Sequence, residues 1–332
     1  MERRDDVHRA YWHLAAERQQ IFERRAAGDP GPWTEDPILA RYKFTNPWRA
    51  SDRVSQFLIK DVIYDNVDLE PEDLLARIVL FRLFSKPSTW RAIERELGPV
   101  RAETLDDRRL PTLLERLQSR GPIYTSAFIL CANKAYGHDR KYQNHLALVR
   151  EMVGTGALPA AVARAEKLGD LFEALCAYPL IGPFMGYQLA IDINYSELTD
   201  FSEDEFTVPG PGAVRGIEKV FPGTPARERA AVIHRMVDEQ EEACAAYGIT
   251  PPTLFGQRRL RAIDCQNLFC ELDKYARVRF PELRSNRSRI KATFAPSSEP
   301  LTLFYPPKWG VENLPDGGFA GGYELELVPA VA

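Results

Sequence analysis

Apolar residues recur at helical spacing in one segment after another along this chain. The first segment places Val7, Tyr11, Leu14, Ile21 and Phe22 on one face of a helix that ends at the Gly- and Pro-rich turn 28–32. No regular alternation of strand and helix is present, which disfavours a dinucleotide-binding sheet. We therefore predict an all-α fold, with further helices at 46–64, 71–84, 88–97, 105–120, 141–152, 158–177, 183–194, 211–221, 224–247 and 261–280.

The last residues of the chain have a different pattern. Turns rich in Pro and Gly follow residue 300, and residues 323–327 alternate between polar and apolar as a short strand does. We predict three parts: an N-terminal helix at 1–36, a helical catalytic domain at 37–295, and a turn-rich or β-containing appendage at 296–332.

The composition is that of a globular protein that works in water. Of 332 residues, 45% are hydrophobic, and no run of about 18 apolar residues or signal-like block is present, so a cytoplasmic protein without membrane contact is expected. The five cysteines are scattered and lack metal-binding spacing, so neither a metal nor another cofactor is predicted.

The charge distribution limits how the chain could contact nucleic acid. A net charge of −4 argues against nonspecific coating of DNA, which needs many Lys and Arg contacts to phosphate. The segment 274–291 is nevertheless basic, and Arg284, Arg287 and Arg289 could contact a short length of phosphate backbone. The alternative is an exposed segment that only favours solubility.

The segment 262–275 combines two faces on one helix. Asp264, Asn267, Glu271 and Lys274 share one stripe at about 100° per residue, beside an apolar stripe. Acids, an amide and a lysine at the edge of a core are typical of a pocket for a polar substrate, and Gln266 lies in the same segment. The alternative is a solvated helix face with weak ion pairs.

A second polar face is predicted within residues 43–56. Arg49, Asp52, Arg53 and Gln56 recur at helical spacing, and their guanidinium groups suit contact with phosphate or a base edge. An intrahelical Asp–Arg ladder is the alternative. The flanking residues Phe44, Asn46 and Trp48 favour the binding interpretation.

Two turns could contact an anion through backbone N–H groups. The turn before Gly182 is similar to the hairpin of helix-hairpin-helix DNA glycosylases, although Leu180 replaces a glycine of that pattern. The turn with Gly210 and Gly212 enters a helix but lacks the P-loop sequence. For both, a tight turn between core helices is the alternative.

The helix after the hairpin-like turn carries polar residues in an apolar sequence. Gln188 and Asp192 lie one turn apart beside Tyr187. A carboxylate there must be paired, hydrogen-bonded or functional, and structural pairing is the more common outcome.

Five blocks, at 44–56, 77–90, 178–195, 205–216 and 264–275, resemble the α-glutamyl/putrescinyl thymine pyrophosphorylase family of DNA base hypermodification proteins. The resemblance covers about residues 40–295, and Asp264, Cys265, Gln266 and Asn267 form its most specific part. It implies an all-helical fold related to helix-hairpin-helix glycosylases, including antiphage glycosylases that excise modified bases. The implied partner is double-stranded DNA that carries a modified pyrimidine.

Three functions follow from this resemblance. The main expectation is a DNA glycosylase that flips out and hydrolytically excises a bulky modified pyrimidine in antiphage defence. It would be monofunctional, because Phe184 occupies the position of the lysine nucleophile. The alternatives are a transferase that replaces the pyrophosphate of 5-pyrophosphomethyluracil in DNA by an amine or amino acid, and a noncatalytic sensor of modified DNA.

The resemblance and the patterns together assign candidate roles. Asp264, Asp192, Glu271 and Lys274 are the candidate catalytic residues. The candidate base-binding residues are Phe44, Asn46, Trp48, Gln56, Tyr187, Gln188, Gln266 and Asn267. The candidate phosphate-binding residues are Arg49, Arg53, Gly182, Gly210, Gly212, Arg284, Arg287 and Arg289.

Overall fold

A computed structural model describes residues 2–65, 68–125, 134–283, 289–290, 292–295, 302–312 and 314. Within these ranges the chain forms fourteen α-helices and no β-strand beyond two isolated bridges. The all-α prediction is confirmed. The strand predicted at 323–327 lies outside the described residues.

The α-helices follow one another in chain order. They are α1 Asp5–Ala26, α2 Pro37–Arg41, α3 Arg53–Phe57, α4 Pro71–Phe84, α5 Pro87–Leu97, α6 Arg109–Arg120, α7 Lys141–Val149, α8 Ala157–Arg164, α9 Leu168–Cys176, α10 Pro183–Asn194, α11 Pro211–Val220, α12 Arg229–Asp238, α13 Gln240–Ala246 and α14 Ala262–Arg279.

Several predicted helices are divided in the structure. The segment 158–177 separates into α8 and α9 because the Asp170 side chain accepts the backbone N–H groups of Glu166 and Lys167, which begins a new helix. The segment 224–247 divides into a 3-10 turn at Ala226–Glu228, α12 and α13. Local polar contacts of this kind interrupt a helix without changing its apolar period.

The chain forms two compact units. Unit 1 comprises residues 1–53 and 203–332, and unit 2 comprises residues 54–202. The boundaries predicted at 36 and 295 stay predictions.

In unit 1, α14 packs against α1, α2, α11 and α12. Tyr11 and Phe269 lie at the centre of this core, with 4.8 Å between their ring centroids. Helix α11 approaches α14 so closely that a Cβ added to Gly216 would lie 2.1 Å from the Phe269 carbonyl oxygen. Only glycine fits there, because a side chain would collide with backbone.

Unit 2 contains most of α3 and all of α4–α10, with α9 and α10 packed as a helical hairpin. A Cβ added to Gly186 of α10 would lie 2.5 Å from the Cys176 sulfur of α9. Leu180 in the connecting turn adopts the left-handed conformation with φ of 70°, which a glycine would adopt without strain.

Among the described residues, no single helix has both the length and the hydropathy of a membrane span. The consecutive helical segments Lys141–Gly154 and Ala157–Arg164 reach that length and hydropathy only when they are taken together, and the chain bends by 55° at the break between them.

Candidate functional site

The polar stripe of α14 binds residues 43–52, which we call the strap. The carboxylate of Asp264 accepts the Arg49 backbone N–H at 3.0 Å, and the carboxylate of Glu271 accepts that of Thr45 at 3.0 Å. The Asn267 side-chain amide donates to the Thr45 hydroxyl at 3.1 Å and to the Asn46 carbonyl at 3.0 Å. The two blocks predicted to carry the site therefore lie together, and the α14 stripe is covered rather than solvated.

Lys274 completes this arrangement at the other end of the stripe. Its ammonium lies 2.5 Å from the Glu271 carboxylate, donates to the Lys43 carbonyl at 3.4 Å and sits 5.1 Å from the centre of the Phe44 ring. The charge of Glu271 is thus balanced by one lysine and one backbone N–H.

The strap is not a helix, and the polar face predicted for Arg49, Asp52, Arg53 and Gln56 at helical spacing is wrong. Arg49–Ser51 forms a single 3-10 turn, Asp52 has extended backbone, and α3 begins only at Arg53. Asn46 closes the loop instead: its backbone N–H donates to Asp52 at 2.9 Å and its side-chain amide to the Ser51 carbonyl at 2.8 Å. Pro47 favours this outcome, because a residue before proline is disfavoured in helix.

Asp264 is buried, with 3% of its surface exposed. Each of its carboxylate oxygens accepts a hydrogen bond from a backbone N–H group. Its second oxygen accepts the Arg261 N–H at 3.0 Å. Burial, followed by the nearby charge of Glu203, raises the pKa of Asp264 to about 7 against the effect of these hydrogen bonds. The residue links the first turn of α14 to the strap.

The sequence pattern included Asp52 in a polar face but gave it no catalytic role, whereas its surroundings in the structure make it a candidate. Its side chain is half-buried, and one oxygen accepts the Asn46 N–H. Burial is the largest cause that raises its pKa to about 7, and the charge of Glu271 adds to it, while Arg18 and Arg49 act in the opposite direction. A carboxyl group that titrates near neutral pH suits proton transfer.

Most of the predicted base-binding residues of unit 1 are buried. Trp48 has no exposed surface, and Phe44 and Asn46 are 2% and 5% exposed. Gln266 accepts the Gly210 backbone N–H at 3.4 Å. Contact with a base would require these side chains to move, so their role stays a prediction.

The glycine turn before α11 has a packing function. A Cβ added to Gly212 would lie 2.9 Å from the Cys270 sulfur on α14. Close packing against α14 accounts for Gly212, and the hydrogen bond to Gln266 uses the N–H of Gly210. Contact of either glycine with phosphate stays a prediction.

The predicted phosphate-binding arginines are placed differently from one another. Arg49 is 3% exposed, whereas Arg53 is half-buried and Arg289 is exposed. Arg284 and Arg287 lie outside the described residues. Gly182 is the residue before α10, with open space where a Cβ would lie. Their contact with phosphate stays a prediction.

The remaining candidates, Gln56, Tyr187, Gln188 and Asp192, belong to unit 2, whereas Asn267 belongs to unit 1. All four are buried. Asp192 forms a bidentate ion pair with Arg82 in which one N–O distance is 2.8 Å, and neither side chain is exposed. This is the structural pairing that is the more common outcome for a buried carboxylate, and catalysis by Asp192 stays a prediction.

A cavity of about 180 Å³ lies beside the strap in unit 1. Arg18 reaches it from α1, where its guanidinium Nε donates to the Phe44 carbonyl at 3.4 Å. The cavity is lined by aromatic rings, small side chains and this arginine: Arg18, Ile21, Pro32, Trp33, Thr34, Leu39, Ala40, Tyr42, Phe44 and Phe294.

Comparison with known proteins gives one family and one curated relative. Residues 5–285 match the family described as "5-hmdU DNA kinase, helical domain". The 5-hmdU DNA kinase of Bacillus phage SP10 is 27% identical over 284 residues, which cover 80% of this chain and 44% of the relative. The chain thus spans less than half the length of that relative. No solved structure matches.

These matches overturn the main functional expectation. The expectation of a hydrolytic DNA glycosylase that excises bases in antiphage defence is wrong, because both matches are to 5-hmdU DNA kinases. The transferase alternative is closer to these matches.

Proposed function

Because the chain belongs to the family of 5-hmdU DNA kinase helical domains, we propose that it modifies 5-hydroxymethyl-derived thymine in DNA. The reaction is the transfer in which an amine or amino acid replaces the pyrophosphate of 5-pyrophosphomethyluracil. The observation that carries the proposal is the family match over residues 5–285. The sequence contains no P-loop, so a nucleoside triphosphate would have to bind at a site of another kind.

The chemistry requires one base and one anion-binding group. The amine nitrogen attacks the methylene carbon attached to C5 of the pyrimidine, the carbon–oxygen bond breaks, and pyrophosphate leaves with the bonding electrons. The nitrogen then gives a proton to a carboxylate. We assign that carboxylate to Asp52, since its pKa of about 7 lets it accept a proton near neutral pH.

The other acids near the strap suit this role less well. Both oxygens of Asp264 accept backbone N–H groups. Glu271 is bound by Lys274 and by the Thr45 N–H. Asp52 also lies between Asn46 and Arg53, so a base at this position is close in sequence to a guanidinium group that could hold the leaving pyrophosphate.

The proposed substrate is double-stranded DNA. The methylene group of a paired base lies in the major groove, but attack inside a protein pocket requires the nucleotide to leave the stack. The hairpin of α9 and α10 is the proposed contact with the backbone of that DNA, on the basis of the left-handed Leu180 and the helix start after Gly182. On the same basis we propose a fold kinship with helix-hairpin-helix proteins.

A second candidate is phosphate transfer to the hydroxymethyl group itself, which the name of the phage relative favours. It requires a nucleoside triphosphate and would leave a phosphorylated base. The two candidates differ in substrate and in product mass.

One assay distinguishes them. The protein is incubated with duplex DNA containing 5-pyrophosphomethyluracil and glutamate or putrescine, and with duplex DNA containing 5-hydroxymethyluracil and ATP. Nucleosides are then released and weighed by mass spectrometry. Pyrophosphate release with addition of the amine is the expected result, and a phosphate added to the hydroxymethyl base establishes the second candidate. Unchanged nucleosides in both reactions would overturn both.

A further inference from the structure

We propose that the 180 Å³ cavity beside the strap is the pocket for the pyrimidine ring of the everted nucleotide. The inference deepens the proposed function and rests on it. It differs from the sequence-based assignment of base-binding residues, because most of the cavity wall comes from the segment 32–42 and from Phe294.

The volume of the cavity is large enough for a pyrimidine ring. Engineered cavities of about 150 Å³ bind benzene. A cavity of about 180 Å³ therefore has room for a six-membered ring with a small substituent.

The walls of the cavity suit a flat aromatic ligand. Trp33, Tyr42, Phe44 and Phe294 all line it. The Trp33 and Phe294 rings meet edge to face at 90°, with 6.2 Å between their centroids. These two rings contact each other, so a ligand ring would pack against the pair from the cavity side, in the edge-to-face or offset geometry that aromatic pairs prefer.

The arginine at the cavity suits the carbonyl groups of a pyrimidine. The guanidinium of Arg18 is part of the wall, and that of Arg25 lies 5.0 Å from the Trp33 ring centre and 5.5 Å from that of Phe294. Uracil carbonyl oxygens are acceptors that a guanidinium can bind.

Arg18 also connects the cavity to the proposed base. Its charge acts on Asp52, and its Nε donates to the carbonyl of Phe44 in the strap. Arg18 thus belongs both to the cavity wall and to the surroundings of the strap.

Ala40 provides the test, because it is exposed on α2 and lines the cavity. Ala40→Phe fills the cavity, and Ala246→Phe on α13, also exposed, is the matched control. The probe is free 5-hydroxymethyluracil, and its binding is measured by saturation-transfer NMR with putrescine as a second ligand. Thermal unfolding of both variants shows that they fold.

We expect 5-hydroxymethyluracil to bind the wild type and the control, and about tenfold more weakly to Ala40→Phe. Equal binding to all three proteins, or loss of putrescine binding alone in Ala40→Phe, would overturn the pocket. Transfer activity on DNA separates the two proposals. Normal transfer by Ala40→Phe refutes only the pocket, whereas base binding without transfer by the wild type refutes only the proposed function.

Discussion

The Asp264 carboxylate and the Arg49 backbone N–H form a 3.0 Å hydrogen bond between residues 215 positions apart in the chain. The same carboxylate holds the Arg261 N–H at the start of α14. One buried acid thus joins the start of α14 to the strap.

Replacing Asp264 by alanine should destabilise unit 1. The substitution leaves two backbone N–H groups without their acceptor, at a cost of about 2 kcal/mol or more. Urea unfolding measures the loss, and Asp238→Asn, at an exposed position on α12, should change stability little. Equal effects of the two substitutions would contradict the anchoring role.

Asp52→Asn should remove most transfer activity and its dependence on pH. Loss of a general base lowers a rate by about 100-fold or more. The wild-type rate should rise with pH up to about 7, where Asp52 loses its proton, and the variant should lack this rise. A variant with an unchanged rate and pH profile would exclude Asp52 as the base.

The same titration affects stability in a defined direction. In the folded state Asp52 keeps its proton up to about pH 7, whereas its ordinary pKa is 3.8. Folding therefore binds a proton between these values, and the free energy of unfolding should fall as the pH rises from about 4 to 7. Urea midpoints of wild type and Asp52→Asn should diverge in that range and run parallel above it.

Asp36 should stabilise the protein above pH 4 and lose this effect in acid. Burial would raise its pKa, but hydrogen bonds from His13, Tyr275 and the backbone N–H groups of Leu39 and Ile38 lower it to about 2. The contribution, about 2 kcal/mol, is complete above the ordinary value of 3.8 and is lost as the pH falls to about 2. Asp36→Asn should flatten the acid limb of a stability–pH curve, and an unaltered limb would contradict the assignment.

The Arg82–Asp192 pair should show strong coupling. Removing one member leaves a buried charge without its partner, at a cost of about 3–5 kcal/mol. Asp192→Leu and Arg82→Leu should each lower the free energy of unfolding strongly. In a double-mutant cycle, the double variant should lose less than the sum of the two single losses. Additive losses would show that the pair is not a unit.

Gly216→Ala should destabilise the contact between α11 and α14. The new methyl group would collide with the Phe269 carbonyl, and overpacking of this kind costs about 1–3 kcal/mol. Gly154→Ala, where nothing lies within 4 Å, is the control and should be neutral or slightly stabilising in thermal unfolding. Similar melting temperatures for the two variants would contradict the close approach.

Helical periodicity predicted the fold class and several helices closely. Helix α10 has the predicted bounds of 183–194, because its apolar sequence starts after Gly182 and Pro183. The strap was mistaken for helix, since periodicity does not register the loop that Asn46 closes with Asp52. Long-range hydrogen bonds decide that conformation.

The candidate site was predictable only where it lies on a regular helix. The stripe of Asp264, Asn267, Glu271 and Lys274 follows from residue spacing alone. Its partners in the strap are more than 200 positions away, and no local pattern records them. Asp52 acquires its raised pKa from burial and from Glu271, which are both consequences of tertiary structure.

Unit 1 is formed by two segments of the chain, which precede and follow the continuous sequence of unit 2. During synthesis, residues 54–202 leave the ribosome together, but α1 emerges long before α14, against which its apolar face packs. A nascent chain that has not reached residue 262 therefore exposes Tyr11 and Trp12 to chaperones, and the strap reaches its bound position only late in translation.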